Sequence, residues 1–336
     1  MIKVLLTAAC LVLSAATLQA GSLDDLNAAK AAAEKGNGDE AIRLFTEALA
    51  AGDLSPADQL IARKHRGGEY TAKSMIADAF VRLDQARTLR ENAIADFTAA
   101  IGFKPDDATL YVERAQDYHL NGQYDLAIAD FDAALKLNNS AVTLVQRGAS
   151  QRAKGDYDRA AADFTAALSL DGKDAGLEGW EIHNERGYAQ FLAARFDAAA
   201  ADFAKALTIG SAARTGDVLW LPYQAAWLHI ARARAGQNDA EELARNAGKI
   251  DLKQWPGTLI AFYLGQATLD QLSPPSSHGA MGRGRECNLS FFSGEQALIK
   301  NDSAAAAQQF QRARAMCNIH TVQYLAAGVE LKRLGK

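Results

Sequence analysis

The sequence has no excess of charge of either sign: 36 Lys+Arg stand against 40 Asp+Glu in 336 residues, a formal net charge of −4. That balance removes the global cationic field with which a chain grips nucleic acid or an anionic membrane, and it leaves no acidic tail. Cysteine is scarce, at three residues, and the six histidines at 65, 119, 183, 229, 278 and 320 stand far apart. There is no HExxH, no pair of histidines one helical turn apart and no cysteine cluster, so no metal is expected. Also missing are GxSxG, a Gly-rich loop ending in GK[ST], and a GxGxxG between a strand and a helix. The glycines of AMGRG around Gly282 follow no strand. No cofactor, no catalytic residue and no enzymatic activity are expected. The acidic residues, such as Asp130, Asp132 and Asp163, fall at positions expected to face solvent on amphipathic helices.

Long apolar runs are absent after the first twenty residues. Residues 1–20, MIKVLLTAACLVLSAATLQA, place Lys3 before an apolar stretch from Val4 to Val12 and end in small residues at Ala20. This is the layout of a secretory signal peptide cleaved after Ala20, and the run is shorter than the ~20 residues a spanning helix needs. The alternatives are a retained membrane anchor and acylation at Cys10. Only nine residues precede Cys10, Thr7 rather than Leu stands three before it, and apolar sequence continues after it, so lipid anchoring is not expected. The expected location is the periplasm. Export leaves Cys287 and Cys317 where disulfides persist.

What is present is a repeat. ENAIADFTAAIGFKP, NGQYDLAIADFDAALKLNN, KGDYDRAAADFTAALSLDG and AARFDAAAADFAKALTIGS share one pattern, opening on Ala93, Ala127, Ala160 and Ala199. The steps are 34, 33 and 39 residues, and GNGDEAIRLFTEALA around Ala41 is a fifth copy. Phe97, Phe131, Phe164 and Phe203 each follow the anchor alanine by four, hence share its helical face. Ahead of each run lies another helical segment carrying Ala115, Gly148 or Gly187, small residues that let two antiparallel helices approach. Tyr124, Tyr157 and Phe196 begin the second helix, after turns at Gly122, Gly155 and Ala194. This pattern resembles the tetratricopeptide repeat. The fold it implies is an all-α, right-handed solenoid of tetratricopeptide helix pairs with a C-terminal capping helix.

The repeat varies along the chain. Residues 56–89 fit a longer unit with Gly67 as the small residue, inside an N-terminal and central array spanning 21–210. Degenerate helical repeats are expected over 211–270, and a flexible linker over 271–286, where Pro, Gly and Ser concentrate. A full unit then returns in 287–336, closed by a capping helix that turns Val322, Leu325, Val329 and Leu334 inward. Cys287 starts one helix of that unit and Cys317 ends its antiparallel partner. Their neighbouring ends predict a disulfide between them; the alternative is two free thiols.

The decayed half has a resemblance of its own. Trp227, the Gln254–Trp255 turn, Phe262 to Gly265, Phe291 to Gly294 and Glu330 to Gly335 occur in the order found in the NlpI lipoprotein family. That resemblance implies a homodimeric envelope scaffold, bringing peptidoglycan hydrolases to a PDZ-containing protease or to one another. The missing lipobox and the cysteine pair depart from the family, so anchoring does not carry over.

A stack of helix pairs has a concave face lined by the first helices. The candidate partner-binding groove is Val112, Gln116 and His119; Val145, Ala149 and Arg152; and Asn184, Tyr188 and Phe191. Tyr188 and Phe191 are the expected anchors, because exposed aromatics dominate interface energy. The function expected is a non-catalytic periplasmic adaptor binding proteins or peptides of the cell envelope, not nucleic acid. The alternative is a scaffold of a secretion or outer-membrane assembly complex.

Overall fold

The computed structural model describes residues 21–80, 82–170, 178–213, 220–272 and 280–336. Every regular element among them is a helix, and none is long and apolar enough to cross a membrane. The expected signal segment, residues 1–20, lies outside the described residues. By its contacts the chain divides into two units, Met1–Asn139 and Ser140–Lys336.

The first unit holds α1 (21–34), α2 (Gly38–Ala51), α3 (Pro56–Ala79), α4 (Leu83–Phe103), α5 (Ala108–Leu120) and α6 (Tyr124–Leu137). Successive helices pair antiparallel because small residues lie opposite large ones. Leu26 and Ala29 of α1 pack with Ala41, Phe45 and Ala48 of α2, and Ala115 of α5 packs with Ala127 and Phe131 of α6. In α3 the small residue is Gly67, where a Cβ would lie 3.0 Å from the Phe97 ring. Gly36 and Gly122 turn the chain between helices with φ of 73° at both, a left-handed conformation that glycine adopts without a Cβ clash.

The expected longer unit is the α3/α4 pair, of 24 and 21 residues. Its Gly67 and Phe97 stand 30 apart in sequence, whereas Gly148–Phe164, Gly187–Phe203 and Gly294–Phe310, in contact in the same way, stand 16 apart. The insertion is therefore about two turns on each helix.

The second unit begins with two regular pairs, α7 (Ala141–Lys154) with α8 (Tyr157–Leu170) and α9 (Gly179–Leu192) with α10 (Phe196–Ala213). Then come α11 (Trp220–Arg234), α12 (Ala240–Ala247), α13 (Gly257–Tyr263) and α14 (Leu269–Leu272), and finally α15 (Ala280–Ile299), α16 (Ser303–Met316) and α17 (Val322–Arg333). The expected 271–286 linker is corrected in part: α14 reaches Leu272 and α15 starts at Ala280, so Gly282 and Gly284 are helical. Helical packing overrides the local glycine preference there, and 273–279 lie outside the described residues.

Helix α11 belongs to the core. Trp227 is 1% exposed and its ring lies 5.0 to 5.7 Å from those of Tyr188, Phe191, Phe203, Phe291 and Phe292. The cap α17 packs on α15, α16 and α9. Its Val322, Leu325, Val329 and Leu334 lie partly buried against this core. Cys287 and Cys317 are bridged, with Cα atoms 4.7 Å apart, joining α15 to the end of α16.

Candidate functional site: the faces of the first helices

The helix pairs are fastened by a clasp that defines which faces remain for partners. In four pairs the arginine just before the small residue forms two hydrogen bonds with the aspartate just before the core phenylalanine. Arg66 and Asp96 are joined at 2.8 Å, Arg114 and Asp130 at 2.7 Å, Arg147 and Asp163 at 2.6 and 2.8 Å, and Arg186 and Asp202 at 2.7 and 2.8 Å. A guanidinium fork matches a carboxylate in this way, and the charge assistance strengthens each bond. Arg66, Arg114 and Arg186 also donate to Thr46, Thr98 and Thr165 of the preceding pair, at 2.9 to 3.0 Å. Asp130 and Asp163, expected to face solvent, are 7% exposed and held in these clasps. Asp132, placed with them, is half-buried.

In the first unit Val112, Gln116 and His119 are half-buried along α5, with Val112 packed against the Ala115–Ala127–Phe131 cluster. Lys30 of α1 and Lys64 of α3 bear on His65, which burial first, then these two cations, draws below its usual pKa. Glu113 of α5 is pushed up by burial, against the opposing pull of Lys64. α1, α3 and α5 thus present a polar face carrying both signs of charge, with Val112 as an apolar element. Deeper along α5, Asp117 is fully buried and accepts a 2.8 Å hydrogen bond from the Thr71 hydroxyl of α3. Burial raises its pKa to about 7, although Thr71 and the Arg90 charge pull the other way.

The second unit treats the corresponding residues differently. Val145 and Ala149 are half-buried, but Arg152 is 9%, Asn184 5% and Phe191 1% exposed. The Tyr188 ring lies 5.4 Å from Phe203 and 5.0 Å from Trp227, and Phe191 lies 5.1 Å from Phe196 and 5.4 Å from Trp227. The expectation of an exposed aromatic anchor is therefore corrected for Phe191, which is packed in the aromatic core, while Tyr188 is half-buried against it. The physical reason is α11, whose Trp227 reaches the face that a shorter array would leave open. Arg152 donates to Glu185 at 2.8 Å and lies 5.8 Å from the Tyr188 ring, while its Nε and Nη1 have no partner among the described residues.

Sequence reasoning missed a buried charge cluster behind this core. Arg234 of α11 donates to Glu295 of α15 at 2.8 Å and to Glu330 of α17 at 3.2 Å, and Arg333 pairs with Glu330. Arg333 also donates to the Leu192 carbonyl at the end of α9, at 2.6 Å. Burial, then the neighbouring Glu330, pushes the Glu295 carboxyl up. Each carboxylate is engaged by an arginine, so the cluster reads as a fastening for the cap. Among the described residues no group of His, Cys, Asp and Glu has the arrangement of a metal site. His183 and His229 each turn Nδ1 to an aspartate, Asp202 and Asp239, at 2.9 Å.

Residues 75–142 and 145–218 match the tetratricopeptide repeat family. Among solved structures, a tetratricopeptide repeat protein from Parabacteroides merdae is similar over 91% of this chain and 98% of its own, at 15% identity and a TM-score of 0.55. This is a likeness of fold. The MamA protein is similar over 58% of this chain and 96% of its own, at 18% identity and a TM-score of 0.47.

Proposed function

We propose that this chain, whose residues 75–142 and 145–218 match the tetratricopeptide repeat, is a non-catalytic scaffold of the cell envelope that binds protein partners on the α1–α3–α5 face. One observation carries the reading: Val112, Gln116 and His119 all stay half-exposed there, while of the equivalent residues of α9 Asn184 and Phe191 are buried and half-buried Tyr188 packs against Trp227. The signal-like residues 1–20 support a periplasmic location, and the bridged Cys287–Cys317 pair agrees with an oxidising compartment. The resemblance to the NlpI family, carried by the features from Trp227 to Gly335, favours peptidoglycan hydrolases and a PDZ-containing protease as partners, and a homodimer as the assembly. The mixed charge of Lys30, Lys64 and Glu113 suits an extended peptide or a polar helix better than a purely apolar segment.

The test is affinity capture from an envelope extract with residues 21–336 as bait, compared with a Lys64→Glu, Gln116→Arg variant. Reduced recovery of hydrolases or of the protease, at unchanged helix content, is the expected outcome. Equal recovery by both baits would remove this face from consideration. Recovery of a secretion or outer-membrane complex would favour the other scaffold reading.

A further inference from the structure

The two-turn insertion in the α3/α4 pair ends in an apolar tip that the repeat reading does not use. Along α3, Glu69 and Lys73 lie level with the start of α2, at Gly38 and Asp39. Along α4, Arg90 lies level with the end of α5, donating to the Leu120 carbonyl at 2.6 Å. The described residues between Ser74 and Thr88 therefore extend past both neighbouring helix ends. At 1.5 Å per residue that is a projection of roughly 8–10 Å.

The projection is rigid at its base. Arg90 is 4% exposed and grips both oxygens of Asp78, at 2.7 and 2.8 Å, tying α4 to α3. Ala77 and Ala86, 4% and 0% exposed, close the seam within the tip, and the Arg82 amide donates to the Ala77 carbonyl at 2.8 Å. Outside that seam stand four large apolar side chains: Met75, Ile76, Phe80 and Leu83, from 51% to 66% exposed. Among the described residues, the other large hydrophobics left exposed, Phe103, Leu126, Leu137 and Ile319, are between 41% and 47% exposed and scattered. A contiguous apolar set of this kind marks an interaction site.

We propose that this tip inserts into the surface of a lipid bilayer, at the boundary between headgroups and acyl chains. A second copy of the chain is the poorer occupant. Four side chains supply a few hundred Å², well below the roughly 800 Å² per partner of a stable interface. A narrow convex end also fits a deformable phase better than a flat surface. Its depth matches the roughly 5–10 Å to which interfacial helices bury their apolar faces. Charge agrees as well. Arg82 and Arg87 are exposed beside the apolar set, with the Arg82 guanidinium 5.3 Å from the Phe80 ring, while Asp78 is neutralised by Arg90. Asp84 is the one acid exposed within the tip, so the local field is weakly cationic and favours anionic headgroups.

The experiment is sedimentation of residues 21–336 with vesicles of phosphatidylethanolamine and phosphatidylglycerol, beside an Ile76→Ser, Phe80→Ser variant. Both substituted side chains point to solvent, so the variant should keep its fold, checked by circular dichroism. The expected result is binding by the parent chain and at least a tenfold loss in the variant. In addition, Phe80→Trp should show blue-shifted emission on adding vesicles. No sedimentation of the parent, or equal sedimentation of parent and variant, overturns the proposal. So does a tip-dependent capture of envelope proteins without vesicle binding, which would reassign the tip to a protein partner. The α1–α3–α5 variant keeps the tip intact, so loss of vesicle binding and loss of partner capture are separable.

Discussion

At Gly187 a Cβ would come within 2.6 Å of the Phe203 ring, and at Gly148 within 2.8 Å of Phe164. A helix does not need glycine there; the neighbouring helix does. Gly68, one residue beyond the equivalent place in α3, has nothing within 4 Å of a Cβ. Gly187→Ala should therefore destabilise the protein by about 1–3 kcal/mol through overpacking, whereas Gly68→Ala should stabilise it by about 0.5–1 kcal/mol through helix propensity. Urea unfolding of the two variants checks both signs, and a stabilised Gly187→Ala would mean that the seam is looser than the contact distances imply. Asp117 makes a second prediction at this scale. Its folded pKa of about 7 lies above the ordinary 3.8, so the folded state holds the proton more tightly than the unfolded chain. Stability from this group is complete below about pH 4 and falls as pH rises towards 7. Asp117→Asn keeps an acceptor for Thr71 without the charge and should flatten that slope. An unchanged pH profile from 4 to 7 would assign the slope to other groups. The clasps were legible but unread: Arg114 and Asp130, Arg147 and Asp163, and Arg186 and Asp202 all stand 16 apart in sequence. An acidic residue one step before a core phenylalanine looks solvent-facing on its own helix. Its burial is visible only when the arginine of the partner helix is placed opposite.

At the scale of the element, the repeat positions were enough to pair α5 with α6, α7 with α8, α9 with α10 and α15 with α16. Each pair rests on contacts within about 34 residues, which a periodic pattern specifies. The cysteine bridge follows from the same register, since the ends of antiparallel partners meet. Closing that loop stabilises by about 3–4 kcal/mol on the chain-entropy view. A Cys287→Ala, Cys317→Ala variant should lose about that much in denaturant unfolding, with α15 and α16 loosened first. A loss below about 1 kcal/mol would show that the aromatic core alone holds this pair. The linker expectation gave way over 280–286 for a related reason. Gly282 and Gly284 signal a turn locally, yet they fall on the α15 extension, where Arg285 donates to the Leu272 carbonyl at 2.9 Å and packs 4.8 Å from the Trp255 ring. Contacts from α14 and the Trp255 turn decide that helix, and no window of the sequence contains them all.

At the scale of the whole chain, stability should be unevenly spread because apolar burial is. The largest core belongs to the second unit, where Trp227, Phe291 and Phe292 are at most 1% exposed and the Arg234–Glu295–Glu330–Arg333 cluster ties α9, α11, α15 and α17 together. The first unit has smaller clusters, each confined to one helix pair and its neighbour. This is why the groove residues differ: Tyr188 and Phe191 follow the same repeat positions as Gln116 and His119, and Trp227 of α11 packs on both, leaving Phe191 buried and Tyr188 half-buried. Repeat arrays stabilised by nearest neighbours open locally, and the cost of opening follows local burial. Backbone amides in the middle of α11 and α15 should accordingly exchange with deuterium at least ~100-fold more slowly than those in the last turn of α3, around Ala77 to Phe80. Slow exchange at that tip in the isolated chain would mean that something already covers Met75, Ile76, Phe80 and Leu83. Fast exchange that slows on adding vesicles would instead tie the least protected part of the fold to the bilayer proposed as its partner.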